Sequence, residues 1–156
     1  MTFQLTEPIL IIGLGGVGAK LAEKAKESLN SDCLLISHDQ KDLTPENSIK
    51  ISTKSIVNPS AHLIRGSALE TLDEIKKNIS NYSTIILISN LAGKAGIGIG
   101  PIISKICKEE EKNLLSFAIM PFKFEKERIF QSGIALKRIR KDSHCTIVLD
   151  NDALLD

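Results

Sequence analysis

The sequence predicts an α/β fold of three layers, built on a mostly parallel sheet. Three observations predict it. Short runs of near-continuous apolar residues alternate with segments of helical periodicity, the pattern of strands covered on both faces. Eight of the ten glycines fall in two stretches, 13–18 and 93–100, each following an apolar run. A length of 156 residues, 42% hydrophobic and 25% charged, is that of one ordinary globular domain.

The elements follow in order. "PILIIG" (8–13) is a buried strand, and Val17, Leu21, Ala25 and Leu29 then form a helical stripe closed by "NSD". "CLLISH" (33–38) is a second strand. The polar, turn-rich segment 39–59 holds one short strand at "IKIS" (49–52). Ser60 is placed to cap a single long helix with Ala68, Leu72, Ile75 and Ile79 on one face. "STIILIS" (83–89) is the next strand, and a glycine-rich loop leads into the helical "PIISKICKEEEK" (101–112). "LLSFAIM" (114–120) is a strand stopped by Pro121. Residues 125–141 read as helix and "HCTIVLD" (144–150) as the last strand. Neither an internal repeat nor a low-complexity linker interrupts the series.

Composition narrows the function classes. A formal net charge of +1 gives no global attraction to nucleic acid or to an anionic membrane, so neither is expected as a partner. The basic run "KRIRK" (137–141) lies in a helical pattern and reads as a solvated face. Cys33, Cys107 and Cys145 stand singly inside apolar runs, without metal-ligand spacing, and are expected to be buried thiols in a reducing compartment. His38, His62 and His144 are scattered, so no metal site is expected. No leader pattern and no run of 18 apolar residues is present, and a soluble, cytoplasmic protein is the expectation.

In a parallel sheet ligands sit beyond the carboxyl ends of the strands. The loops to search are therefore 13–18, 38–43, 90–98, 121–128 and 150–152. Gly13, Gly15 and Gly18, with Gly16 between them, fit a dinucleotide fingerprint, and Asp39 stands where a ribose-binding acid belongs. Glycines let a phosphate approach the backbone, and the helix that follows presents free N–H groups. A tight turn without a ligand, or an NAD- or ATP-binding enzyme, would carry the same residues.

Further along stand "AGKAGIGIGPI" (92–102), "MPFKFE" (120–125), Arg128 and "NDALL" (151–155). In this order and spacing the chain resembles the nucleotide-binding domain of the cell-division GTPase FtsZ, a tubulin homologue, from about residue 8 to 156. The resemblance implies a Rossmann-like sheet of the tubulin/FtsZ type, GTP or GDP as ligand with Mg²⁺ beside it, and a role in cell division or cytoskeletal filaments. It makes Gly13, Gly15, Gly16 and Gly18 a first phosphate loop. "SHDQKDL" (37–43) resembles the family's "NTDAQAL", which sets Asp39 near the ribose or Mg²⁺. "NPS" (58–60) resembles a segment near the γ-phosphate. Gly93, Lys94, Gly96 and Gly98 lie on the signature GGGTGTG. Glu125 and Arg128 match a ribose-contacting pair if one residue is deleted between them, and Asn151 matches the asparagine that hydrogen-bonds guanine. Each residue also has a plainer reading. Asp39 and Asn151 suit caps of short turns, Glu125 the first turn of a helix, and Arg128 its surface.

The chain departs from the family where phosphate is held. Lys94, Ala95 and Ile97 replace a glycine and two threonines of the signature, removing two hydroxyl donors worth about 1–3 kcal/mol each toward a charged acceptor. Lys94 either substitutes charge for those bonds or points to solvent. Lys20 replaces an asparagine that contacts the base. The resemblance also implies that the family's central helix, its acidic loop and its second domain lie outside these 156 residues. Residues 1–156 are thus expected to form a single divergent guanine-nucleotide-binding domain with no catalytic residue of its own and no independent GTP hydrolysis. A full-length homologue or a second copy is the expected protein partner. The alternative is an interaction or filament-capping protein with a decayed site.

Overall fold

The computed structural model describes residues 5–53 and 58–151. Six strands carry the sheet: β1 (Ile9–Leu14), β2 (Asp32–Ser37), β3 (Ser48–Lys50), β4 (Thr84–Asn90), β5 (Asn113–Met120) and β6 (Cys145–Asp150). Their order is β3-β2-β1-β4-β5-β6, and every pairing is parallel. Parallel neighbours need crossovers, and five α-helices supply all but one: α1 (Gly15–Leu29), α2 (Ala61–Leu69), α3 (Leu72–Ile79), α4 (Lys94–Glu109) and α5 (Lys126–Asp142), the β2–β3 link holding only a 3₁₀ turn at Gln40–Asp42. The order runs outward in one direction from β1 and in the other from β4. That reversal opens a crevice at their carboxyl ends.

β1, β2 and β4 are buried nearly throughout because both faces are covered. On one face Ile12, Ile36, Ile85 and Leu87 pack with Ile64, Ile75, Ile79, Ile99 and Ile103 of α2, α3 and α4. On the other, Ile11, Leu35, Ile86 and Ile88 meet Ala19 and Ala22 of α1. A smaller cluster of Leu91, Ala118, Ala135 and Ile139 seats α5.

Cover is incomplete at one corner. α1 spans β1, β2 and β4, and the register sets Phe117 beside Ile147 and Ile119 beside Leu149 on the same face. Ile147 and Leu149 remain 39% and 44% exposed.

Two expectations are corrected. The single long helix after Ser60 is two, because Thr71 turns its hydroxyl back to the Ser67 carbonyl at 2.9 Å and leaves helical geometry. Asp73 and Glu74 then favour a new helix start at Leu72. Of the three thiols only Cys33 and Cys107 are buried; Cys145 is half-exposed because it stands on the edge strand β6. No helix among the described residues is long and apolar enough to cross a membrane.

Candidate functional site

The crevice between β1 and β4 receives two helix N-termini. α1 begins at Gly15 and α4 at Lys94, and neither has a side-chain cap or an acidic residue in its first turn. The other helices are supplied differently. Ser60 Oγ accepts from the Leu63 N–H at the start of α2, while α3 and α5 carry acids in their first turns. The unpaired N–H groups and positive dipole ends of α1 and α4 thus converge on one place. A Cβ added at Gly15 would lie 3.1 Å from the Ala95 side chain, which measures how closely the two glycine loops approach.

The glycines divide by what surrounds them. Gly15 has φ of +71°, a conformation that disfavours any side chain. Gly13 and Gly18 serve the strand–helix contact, since a Cβ at Gly18 would sit 2.8 Å from the Ile88 carbonyl oxygen and one at Gly13 would meet the backbone of Gly18. Gly96 rests on the backbone of Asn90 and Gly98 on that of Ala61. Gly16 and Gly93 are left partly exposed at the crevice. Ala95 is buried against the main core, and Ile97 packs toward the α5 cluster.

The second loop is held from α5. Arg128 Nη1 donates to the Ala92 carbonyl at 3.0 Å, and Ser132 Oγ lies 2.5 Å from the Leu91 carbonyl oxygen. Glu125 closes the turn after β5, its Oε2 accepting from the Phe122 N–H at 2.8 Å. Glu125 and Arg128 therefore brace the loops beside the crevice. The Lys94 ammonium donates to Asn58 Oδ1 at the surface and so joins α4 to the segment before α2. Asn151 is half-buried just beyond β6, where Asp150 is level with Met120. The short turn that Asn151 was expected to cap lies outside the described residues.

On the β2 side, Asp39 acts as a turn cap: its Oδ1 accepts from the Lys41 N–H at 3.0 Å. Asp42 is the residue that sequence reasoning missed. Its Oδ2 accepts from Ser37 Oγ at 2.7 Å, and its Oδ1 would lie 2.9 Å from a Cβ at Gly16. The signal was its position three residues after Asp39, the spacing that returns a side chain to the same side of a 3₁₀ turn. An oxygen pair beside a glycine loop suits a hard cation. Without one, the carboxylate would repel a phosphate.

The family described as "Tubulin/FtsZ family, GTPase domain" matches residues 8–156. Cell division protein FtsZ 2 of Halobacterium salinarum is 28% identical over 160 residues, covering 95% of this chain and 40% of that protein. Cell division protein FtsZ of Aquifex aeolicus is 27% identical, over 94% and 42% of the two chains. The chain thus spans about two-fifths of the length of these curated relatives. Among solved structures, the empty FtsZ dimer of M. jannaschii superposes with a TM-score of 0.84 at 21% identity, covering 96% of this chain and 46% of that one. TubZ of Clostridium botulinum phage c-st, with its C-terminal tail truncated, gives 0.76 at 18%, covering 92% and 53%.

Proposed function

The chain belongs to the tubulin/FtsZ family as a GTPase domain, and on that premise we propose that it binds GDP or GTP in the β1–β4 crevice with a weakened phosphate grip. The observation that carries this reading is the pair of uncapped helix N-termini, α1 and α4, meeting at the switch point of the sheet. A phosphate chain would satisfy N–H groups that the protein itself leaves unpaired. Gly15, Gly16 and Gly93 line its path. Arg128 and Glu125 hold the adjoining loops, and Asn151 would hydrogen-bond the base. Asp42 would take a Mg²⁺ ion shared with the phosphates, with water completing its shell.

The grip is weak because Ala95 and Ile97 bring no hydroxyl and Lys94 is engaged by Asn58. Hydrolysis by residues 1–156 alone is near background in this reading, and the protein's place is among division or cytoskeletal filament proteins. Calorimetric titration with GDP, GTP, ATP and NAD, each with and without Mg²⁺, is the test. Binding of guanine nucleotides alone, with no phosphate release that rises with protein concentration, is the expected result. Preference for NAD or ATP would reject the reading, and cooperative turnover would reject its hydrolysis part.

One observation favours a second reading, an interaction protein with a decayed site: the Asp42 carboxylate lies over Gly16, where an anion would be repelled. Absence of binding to all four nucleotides, with Mg²⁺ present, would establish it.

A further inference from the structure

The "KRIRK" run is one wall of a groove between the α2–α3 pair, α4 and α5. α4 forms its floor, the α2–α3 pair one wall and the end of α5 the other, and the hollow measures about 720 Å³. A second hollow of about 260 Å³ shares Arg65, Pro101 and Arg138 with it and extends it toward Ile97. From Ile97 to Glu109 the floor is thus about 18 Å long at the rise of an α-helix.

Its lining is amphipathic. The floor and inner walls are apolar: Leu69, Leu72, Pro101, Ile102 and Ile106. Leu69 is 48% exposed, an uncovered apolar side chain on the groove's edge. The rim is basic. Arg65, Lys76, Lys105, Lys108, Arg138 and Lys141 stand against only Glu109 and Asp142, a surplus of four positive charges on a chain whose formal total is +1. Asp142 is already engaged, with Lys108 at 3.8 Å and with Ser104 Oγ at 3.4 Å. Among the described residues the side chains of Arg65, Lys76, Lys105, Arg138 and Lys141 have no hydrogen-bond or ion-pair partner. Holding like charges together without counter-charges opposes folding, and a partner that supplies carboxylates relieves it.

We propose that this groove binds an acidic amphipathic helix of a partner protein, with its apolar stripe on α4 and its carboxylates on the Arg65–Lys76–Lys105–Arg138–Lys141 rim. The lining distinguishes this occupant from other anions. Lys105–Glu109 and Arg138–Asp142 belong to the last turns of α4 and α5, whose dipoles repel a compact phosphate. No Phe, Tyr or Trp ring lines the groove, so nucleic-acid bases lack the broad surfaces on which they stack best. A concave, apolar floor suits side chains at i, i+3, i+4 and i+7, the anchors of a helix laid in a groove. The inference is independent of nucleotide binding.

The test is fluorescence anisotropy on the whole chain with a labelled 18-residue helical peptide of Leu and Glu, the leucines set at i, i+3, i+4 and i+7. A scrambled peptide of equal charge, a single-stranded oligonucleotide, inorganic triphosphate and phosphatidylglycerol vesicles serve as competitors. The striped peptide is expected to bind at least fivefold more tightly than the scrambled one. Lys105→Glu with Arg138→Glu should weaken it at least tenfold, and Leu69→Asp about fivefold. Circular dichroism and guanine-nucleotide titration of these variants are expected to be unchanged, since all three side chains are exposed and none is hydrogen-bonded to the glycine loops among the described residues. Equal binding of striped and scrambled peptides, or displacement of the striped peptide by oligonucleotide, triphosphate or vesicles at lower concentration, would overturn the proposal. So would full affinity in the charge-reversed variant.

Discussion

Tyr82 is the chain's one tyrosine, and there is no tryptophan. Its hydroxyl donates to Asp32 Oδ2 at 2.6 Å, tying the start of β2 to the residues before β4. That hydrogen bond, then burial and the Asp32 charge, push the phenol from its ordinary 10.0 up to about 12. The neutral form is the one favoured by folding. The contribution is therefore complete below pH 10 and is lost as pH rises toward 12. Phenolate absorbance should rise with a midpoint near 12, and Asp32→Asn should bring it back toward 10. A midpoint near 10 in the unmodified chain would mean the bond does not persist in solution. The glycines give a second prediction at this scale. Gly96→Ala puts a Cβ 2.2 Å from the Asn90 carbonyl oxygen, a backbone clash that no rotamer relieves, and should cost about 1–3 kcal/mol. Gly93→Ala meets its nearest atom at 3.5 Å and should change stability by no more than about 0.5 kcal/mol. Urea unfolding midpoints of the two variants, with equal slopes, are the comparison.

Among the elements, α4 determines most about the site. Its N-terminus faces the crevice, its middle forms part of the main core, and its last turns form the basic groove. The two missing hydroxyls at that N-terminus are not equivalent. Ala95 lies beside Gly15, whereas Ile97 packs toward the α5 cluster. If the proposed phosphate site holds, Ala95→Thr, beside Gly15 though buried against the main core, should return a donor to it and tighten GDP binding, by up to about tenfold for one charge-assisted hydrogen bond. Ile97→Thr should not tighten it, since its side chain points toward the α5 cluster and not toward Gly15. Calorimetry on the two variants distinguishes them, and equal gains from both would contradict this placement. α5 acts on the same loop from outside. Arg128 and Ser132 reach successive carbonyls of residues 92 and 91, so the loop's position depends on a helix that begins more than thirty residues later in the chain.

At the scale of the molecule, the sheet is covered unevenly. α1 leaves the β5–β6 corner of its face open, and Phe117, Ile119, Ile147 and Leu149 form an apolar surface there. Among the described residues β6 is also an edge strand, with no strand paired to its outer side. Apolar area combined with a free edge promotes association. Residues 1–156 should sediment as larger species as concentration rises, and Ile147→Lys with Leu149→Glu should return them to monomer in analytical ultracentrifugation. A monomer at all concentrations would show that this corner is tolerated in water.

By itself the sequence determined the alternation of strands and helices, the parallel character of the sheet and the two glycine loops. Those features rest on local chemistry: apolar runs such as "ILII" and "IILI" must be buried, and glycine-rich turns after them admit only tight strand–helix junctions. It also carried the family, because "PFKFE" and the second loop hold their order and spacing along the chain. The break between α2 and α3 was not legible, since it turns on which of several acceptors the Thr71 hydroxyl takes. Nor was the division of glycines into those that pack and those that face the crevice, because Gly13, Gly18, Gly96 and Gly98 meet neighbours that only the folded chain brings near. Asp42 over Gly16, Lys94 on Asn58, and the charged groove that "KRIRK" completes with α3 and α4 belong to the same class. Tertiary structure alone decided them, since each joins side chains and backbone that are distant in sequence and become neighbours only when the helices settle on the sheet.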